Sequence, residues 1–351
     1  VWLVKDVVIV EGKPVEVIYP KVYLKQSHGL QLHNDGTLIS ANTLIMNAKN
    51  SIRNEGAIQG KTVVLASNQD IINSGHINAD KAGLQSDRTI YQQGQVVGRD
   101  AVELQAKENV TVNNSIEHLT NQDVLHKTAG IAVTGDTGVM IVSAGNDVNL
   151  GGATIEALGK EGAITITAGR NINSTTDTLT AKKDMTQDGD NYLRTYRQTE
   201  LGTTIEAGGH VSIGAKHDVK ARNLTVSSDS GAVKVIGEHD VSIENGYSES
   251  KDAFALKYKE KGLLNKKETK IKTNDESTNA LMSTLSGHTV VVGANNDVTL
   301  TSSNIVSTAG TTVLAGHNVI TDAAAEHTLS TASKDVKKIW YYGCWHGYHD
   351  W

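Results

Sequence analysis

A chain of 351 residues with 33 Lys and Arg against 39 Asp and Glu carries a formal net charge of −6, and its charges are interspersed, with no basic stripe of the kind nucleic acid requires. Aromatic residues are 4% of the chain and Phe254 is its one phenylalanine. A layered core built on large rings is therefore excluded, and the apolar material must be spread thinly along an axis. One cysteine, Cys344, rules out an intrachain disulfide framework, and no apolar run approaches the roughly 20 residues of a membrane-spanning helix.

Residues 1–29 read as an N-terminal hairpin and cap. Trp2-Leu3-Val4 and Val7 to Val10 flank a turn at Glu11-Gly12-Lys13-Pro14, and a second apolar run, Val15 to Tyr19, leads into Pro20-Lys21-Val22-Tyr23-Leu24. The expectation is a hairpin and a short strand, with Trp2 or Tyr23 capping one end of the adjoining repeats. Pro14 and Pro20 are the only prolines, so everything after them is free to form an unbroken ladder. No signal-peptide pattern opens at Val1, which predicts a piece of a longer protein.

Residues 30–338 repeat themselves. A glycine, a polar pair ending in Asp or Asn, a β-branched residue and short alternating apolar positions recur, as in Gly145 to Leu158. The anchors after the polar pair are Ile52, Ile71, Ile90, Val110, Val148, Ile172, Val219, Val241, Val298 and Val319, with successive spacings of 19, 19, 20, 38, 24, 47, 22, 57 and 21. The 38-residue gap fits two coils, with Ile131 near the missing anchor; the gaps of 47 and 57 demand insertions. A period of about 20 without helical patterning or a leucine framework predicts a β-solenoid. Within Ala163 to Ala168, Ile164 and Ile166 should face inward and Thr165 and Thr167 outward. Stacking coils about 4.8 Å apart buries the inward row that no single coil can hide. The corner residues Asp147, Asn171, Asp218, Asp240, Asp297 and Asn318 should form a structural turn ladder. Each is expected to bond its own turn, and alternation of Asn with Asp should limit repulsion between rungs.

Two polar stretches interrupt the series. Residues 177–200 predict a hairpin turning at Asp188-Gly189. Residues 247–284, rich in Lys, Glu and Ser, predict a longer one. Tyr192, Tyr196, Phe254, Lys257 and Lys259 are the candidate contact residues on these insertions. The basic run that includes Lys257, Lys259, Lys261, Lys266 and Lys267 would suit anionic lipid, but the interspersed Glu249, Asp252, Glu260 and Glu268 suit a solvated face. Residues 339–351 form an atypical aromatic tail in which Cys344, His346 and His349 have a loosely ligand-like spacing, and no site is assigned there.

The repeats Ala144-Gly145-Asn146-Asp147-Val148, Ala168-Gly169-Arg170-Asn171-Ile172 and Ala315-Gly316-His317-Asn318-Val319 resemble those of filamentous haemagglutinin, the family of large exoproteins of bacterial two-partner secretion that includes the contact-dependent growth inhibition effectors. The opening from Trp2 to Leu24 resembles the segment before the second haemagglutinin-repeat region, and Ser248-Glu249-Ser250-Lys251 resembles the family's polar interruption. This resemblance implies a right-handed parallel β-helix, export through an outer-membrane partner barrel, and display on the bacterial surface. It further implies a role in adhesion to a receptor or glycan on a target cell, or in delivering a toxin to it. The family's secretion domain and its Val-Glu-Asn-Asn junction do not occur in the chain, so neither self-sufficient export nor toxin activity is expected of it.

Enzymatic readings start from paired side chains. His217-Asp218 and His239-Asp240 fall 22 residues apart, a spacing for a metal or acid–base pair on adjacent coils. The same slot holds Asn146, Arg170, Asn296 and His317, however, and third and fourth ligands are not evident. The expectation is a turn ladder without metal, cofactor or catalytic residues. The alternative is a β-helix polysaccharide lyase or hydrolase using Asp218 and Asp240. No phosphate-cradling glycine loop and no nucleophile elbow appears.

Overall fold

In a computed structural model of the chain, residues 2–10, 13–21, 37–263 and 265–340 are described. Every regular element among them is a strand, as the abundance of Thr, Val and Ile and the glycine punctuation require. Trp2–Val10 and Lys13–Lys21 pair antiparallel as the expected opening hairpin. The side chain of Trp2, all of Tyr23 and the tail beyond Trp340 lie outside the described residues.

The ten repeat anchors lie in one ten-stranded parallel sheet. Ile52 pairs with Ile71, Ile71 with Ile90, Ile90 with Val110, and so on without a slip to Val298 and Val319. A second parallel sheet of 14 strands carries the other runs of each coil. The first and last coils cross it in one long strand, such as Ala57–Ser67 and Ser303–Ala315; the middle coils divide the same path into two, as in Thr154–Ala157 and Ala163–Ala168. The period-two pattern fixes which side chains go in. Ile164 and Ile166 are at most 1% exposed, while Thr165 and Thr167 face outward. One continuous core of Val, Ile, Leu and Ala, with Met140, fills the interior from Leu44 to Leu300, several side chains to a coil.

The 38-residue gap holds one coil, not two. Val110 pairs directly with Val148, and Ile131 pairs with Val96 on the other sheet. The surplus is a third insertion, the hairpin Ser115–His118 with Asp123–Lys127. Counting in units of one period fails here because a short hairpin adds nearly a coil's worth of residues while adding no rung.

Both expected insertions are antiparallel hairpins. Asp177–Asp188 pairs with Asn191–Leu201 across a loop at Gly189-Asp190, one residue later than expected; Asp188 is the last paired residue, so it caps the loop rather than opening it. Gly246–Lys261 pairs with Asn265–Leu281. The two hairpins then pair with each other, and His327–Trp340 joins them, giving a five-stranded antiparallel side sheet. The coils therefore run to Asp322. Residues beyond it, which periodicity assigned to the stack as far as 338, leave for the side sheet.

Candidate functional site

The corner of each coil is where polar side chains concentrate, and its bonding is regular. Each anchor amide donates to the corner carbonyl one coil on: Ile172 to Asp218, Val219 to Asp240 and Val241 to Asp297, at 2.9–3.0 Å. The corner side chains close a second, interleaved ladder. Asp147 Oδ1 accepts from the Asn171 amide (3.1 Å), Asn171 Oδ1 from Asp218 (3.2 Å), Asp218 Oδ1 from Asp240 (3.3 Å), Asp240 Oδ1 from Asp297 (3.1 Å) and Asp297 Oδ1 from Asn318 (3.0 Å). The expectation that each side chain bonds its own turn is corrected: the oxygen reaches the next rung, because coil spacing brings that amide within hydrogen-bond distance.

Alternation of Asn with Asp lapses at Asp218, Asp240 and Asp297, and basic side chains meet the first two. Lys220 Nζ is 3.0 Å from Asp218 Oδ2, and the Nδ1 atoms of His217 and His239 lie 3.0 and 2.9 Å from Asp218 Oδ1. The two imidazoles stack with centroids 4.7 Å apart. His239 Nδ1 is also 3.2 Å from Asp240 Oδ2. Burial pushes the Asp218 carboxyl up, yet Lys220, His239 and the Asp240 amide outweigh it and hold the group at about 2. The hydrogen bond to Asp218 raises His239 above its ordinary value. Asp240 is lowered by the Asn296 side-chain amide, and Asp147 by Arg170, which grips it with two bonds. A carboxyl held this low is a poor proton donor, which weakens Asp218 as the general acid of a glycoside hydrolase.

A second ladder runs inside the stack. Asn54 Nδ2 donates to Asn73 Oδ1 (2.7 Å), Asn73 Nδ2 to Gln92 Oε1 (2.9 Å), and Gln92 Nε2 to the Gly94 carbonyl (2.9 Å). Asn73 and Gln92 are fully buried. The amide column escaped the sequence reading, although its signal is present: Asn54, Asn73 and Gln92 each stand two residues after an anchor and two before Gly56, Gly75 or Gly94. Those glycines are obligatory. A Cβ on Gly75 would lie 2.1 Å from the Gly56 carbonyl oxygen, and one on Gly94 2.1 Å from that of Gly75.

The candidate contact residues gather on the side sheet. Tyr192 and Phe254 are half-buried and lie on paired strands, Tyr192 opposite Ala255 and Phe254 opposite Leu193. The Arg194 guanidinium sits 4.6 Å from the Tyr192 ring centre. Tyr196 donates to Gln198 Oε1 (2.6 Å) and has the Lys182 and Lys251 ammonium groups within 6 Å of its ring. Lys257 is 3.2 Å from Asp190 and 3.4 Å from Glu268, and Lys259 is 3.5 Å from Glu268. Lys257 and Lys259 of the basic run are thus paired within the sheet, as is Lys267 with Glu260. At the base of the sheet, Arg222 makes two bonds to Glu200 (2.7 and 2.9 Å) and ties the hairpin to the coils. Burial pushes the Glu200 carboxyl up, but Arg222 holds it below the ordinary range. At the outer edge, the third insertion docks on the sheet: the Thr180 amide donates to Asp123 Oδ2 (2.8 Å) and the Lys182 amide to the Asn121 carbonyl (2.7 Å).

No family model matches the chain, and no solved structure matches it. Over 220 residues, 62% of its length, the chain is 26% identical to the tRNA nuclease CdiA of Escherichia coli strain STEC_O31. It spans 6% of that protein, so the likeness is to one stretch of a far larger relative.

Proposed function

We propose that the chain is a structural and interaction segment of a secreted, cell-surface exoprotein of the filamentous-haemagglutinin type. In this reading the coil stack is a right-handed parallel β-helical rod that works in adhesion or in contact-dependent toxin delivery. The right hand follows from the strong preference of parallel crossover connections. The observation that carries the proposal is the unslipped ten-stranded anchor ladder, which at about 4.8 Å per coil makes a rod roughly 45 Å long. Such a body supplies length and stiffness. The similarity to a stretch of CdiA supports the same class of protein. The nuclease activity in that relative's name is not carried over, because the matched stretch is a small fraction of it.

The partners this reading calls for are an outer-membrane two-partner secretion transporter and a receptor or glycan on the target cell. The side sheet, with its partly exposed Tyr192 and Tyr196, is the surface offered to the latter. Deleting residues 178–200 and 247–281 separately within the full-length exoprotein tests this. Lost adherence with normal surface display in either variant is expected. Unchanged adherence in both would remove the contact role and leave only spacing.

A further inference from the structure

We propose that His217, Asp218 and His239 form a site for one divalent transition-metal ion of the zinc or nickel class, clasping two neighbouring coils, with the Asp240 carboxylate beside it. Ligand atoms of His217, Asp218 and His239 all lie within 4.8 Å of one another. The separations of 3.0 Å (His217 Nδ1 to Asp218 Oδ1) and 2.9 Å (His239 Nδ1 to Asp218 Oδ1) come close to the edge of a tetrahedron whose metal–ligand bonds are about 2.0–2.1 Å, which is about 3.3 Å, and Asp240 Oδ2 stands 3.2 Å from His239 Nδ1. Two imidazole nitrogens with carboxylate oxygens favour borderline metals over calcium or magnesium.

The site is organised by the fold rather than by chance meetings of long side chains. The parallel register places Val219 opposite Val241, and this stacks the two histidine rings with an interplanar angle of 22°. Asp218 is 9% exposed at its side chain and its Oδ1 is aimed by the Asp240 amide. Asp240 Oδ1 is occupied by the Asn296 side chain and the Asp297 amide, which leaves Oδ2 turned toward His239. Ligands oriented by such outer partners bind metal better than mobile ones. Both histidines are about half exposed, at 55% and 49%, so an ion has a path in from solvent. One group opposes binding: the Lys220 ammonium on Asp218 Oδ2. Its removal should strengthen the site.

Calorimetric titration of the whole chain with zinc chloride and separately with nickel chloride, together with the visible absorbance of added cobalt, tests the proposal. The expected result is one ion per chain with a micromolar Kd and a tetrahedral-type cobalt band. Affinity should fall at least about tenfold in His217→Ala and in His239→Ala and rise about threefold or more in Lys220→Met. Circular dichroism identical to the parent is expected for all three, since none of these side chains is in the core. Absence of saturable binding overturns the proposal. So does binding that survives both histidine substitutions, as an ion held by Cys344, His346 and His349 would.

Discussion

In the coil stack, Leu104 and Val235 are fully buried in an unbroken file, whereas along the side sheet Leu256, Leu329 and Val336 stand about two-fifths exposed. Both regions are built of strands, but the stack draws on Val, Ile, Leu and Ala and the sheet on Lys, Glu, Ser and Thr. The difference lies in closure. A coil returns on itself, so one face of each of its strands is interior, and stacking covers both of its edges except at the ends of the pile. The side sheet is open, and cross-strand charges hold much of it: Arg197 to Asp252 (2.6 Å), Lys257 to Asp190 and Lys267 to Glu260. Burial stabilises the first region and electrostatics tune the second. Changes in sequence are accordingly costly in the rod and tolerated on the sheet, which is where a contact surface can diversify.

The sharpest contrast should come from truncating matched leucines. Leu104→Ala is expected to destabilise the stack by about 2–5 kcal/mol through its cavity, and Leu256→Ala by less than about 1 kcal/mol, both read from denaturant unfolding. Equal losses would break the distinction. Adding a methyl group gives the next contrast. Gly75→Ala, with backbone 2.1 Å from the new Cβ, should cost about 1–3 kcal/mol. Gly189→Ala, at the side-sheet loop with nothing within 4 Å, should change stability by less than about 0.5 kcal/mol. Asn73→Ala strands the Asn54 donor and the Gln92 acceptor inside the stack and should cost about 1–3 kcal/mol, visible as faster amide exchange in the coils on either side.

Salt separates the regions without mutation. At about 1 M the screening length falls to about 3 Å, so amide exchange in residues 177–201 and 246–281 should quicken while that of the anchor strands stays put. Acid should act on the corner instead. Asp218 is held at about 2, below its ordinary 3.8, so its contribution is present above pH 4 and is lost as pH falls toward 2. That contribution is on the order of 1–2 kcal/mol. His239, raised by Asp218, contributes with the opposite sign: fully below its ordinary 6.5 and less as pH climbs past its folded value. The coils around residue 218 should therefore be most stable between about pH 4 and 6.5, and Asp218→Asn should flatten that profile.

The sequence exposed what repeats and hid what does not. All ten anchors could be aligned from glycine, polar pair and β-branched residue because each coil must satisfy the same backbone geometry. The corner ladder was readable as a column, though not its reach to the next rung, which depends on the distance between coils. The hairpin at 115–127 was missed because its length imitates a period. The pairing of His327–Trp340 with the strand Asn265–Leu281 was missed because nothing local distinguishes a strand that stacks from one that leaves; only the partner, 49 to 75 residues away in register, decides. The His217–Asp218–His239 cluster was visible as two histidines, while the sharing of a single oxygen by both required coordinates.

The corner ladder has an orientation. Every side-chain oxygen from Asp147 to Asp297 receives an amide that comes later in the chain. The side-chain ladder is thus polar, its acceptors synthesised before their donors, whereas the anchor amides donate the other way, to carbonyls of the following coil. A chain emerging amino end first finds each docking oxygen already in place when the next amide arrives, so the ladder works as a one-way zipper. Pulling the folded chain from its carboxyl end should open it in discrete steps of one coil. Simultaneous loss of all coils would deny the ladder that directional part.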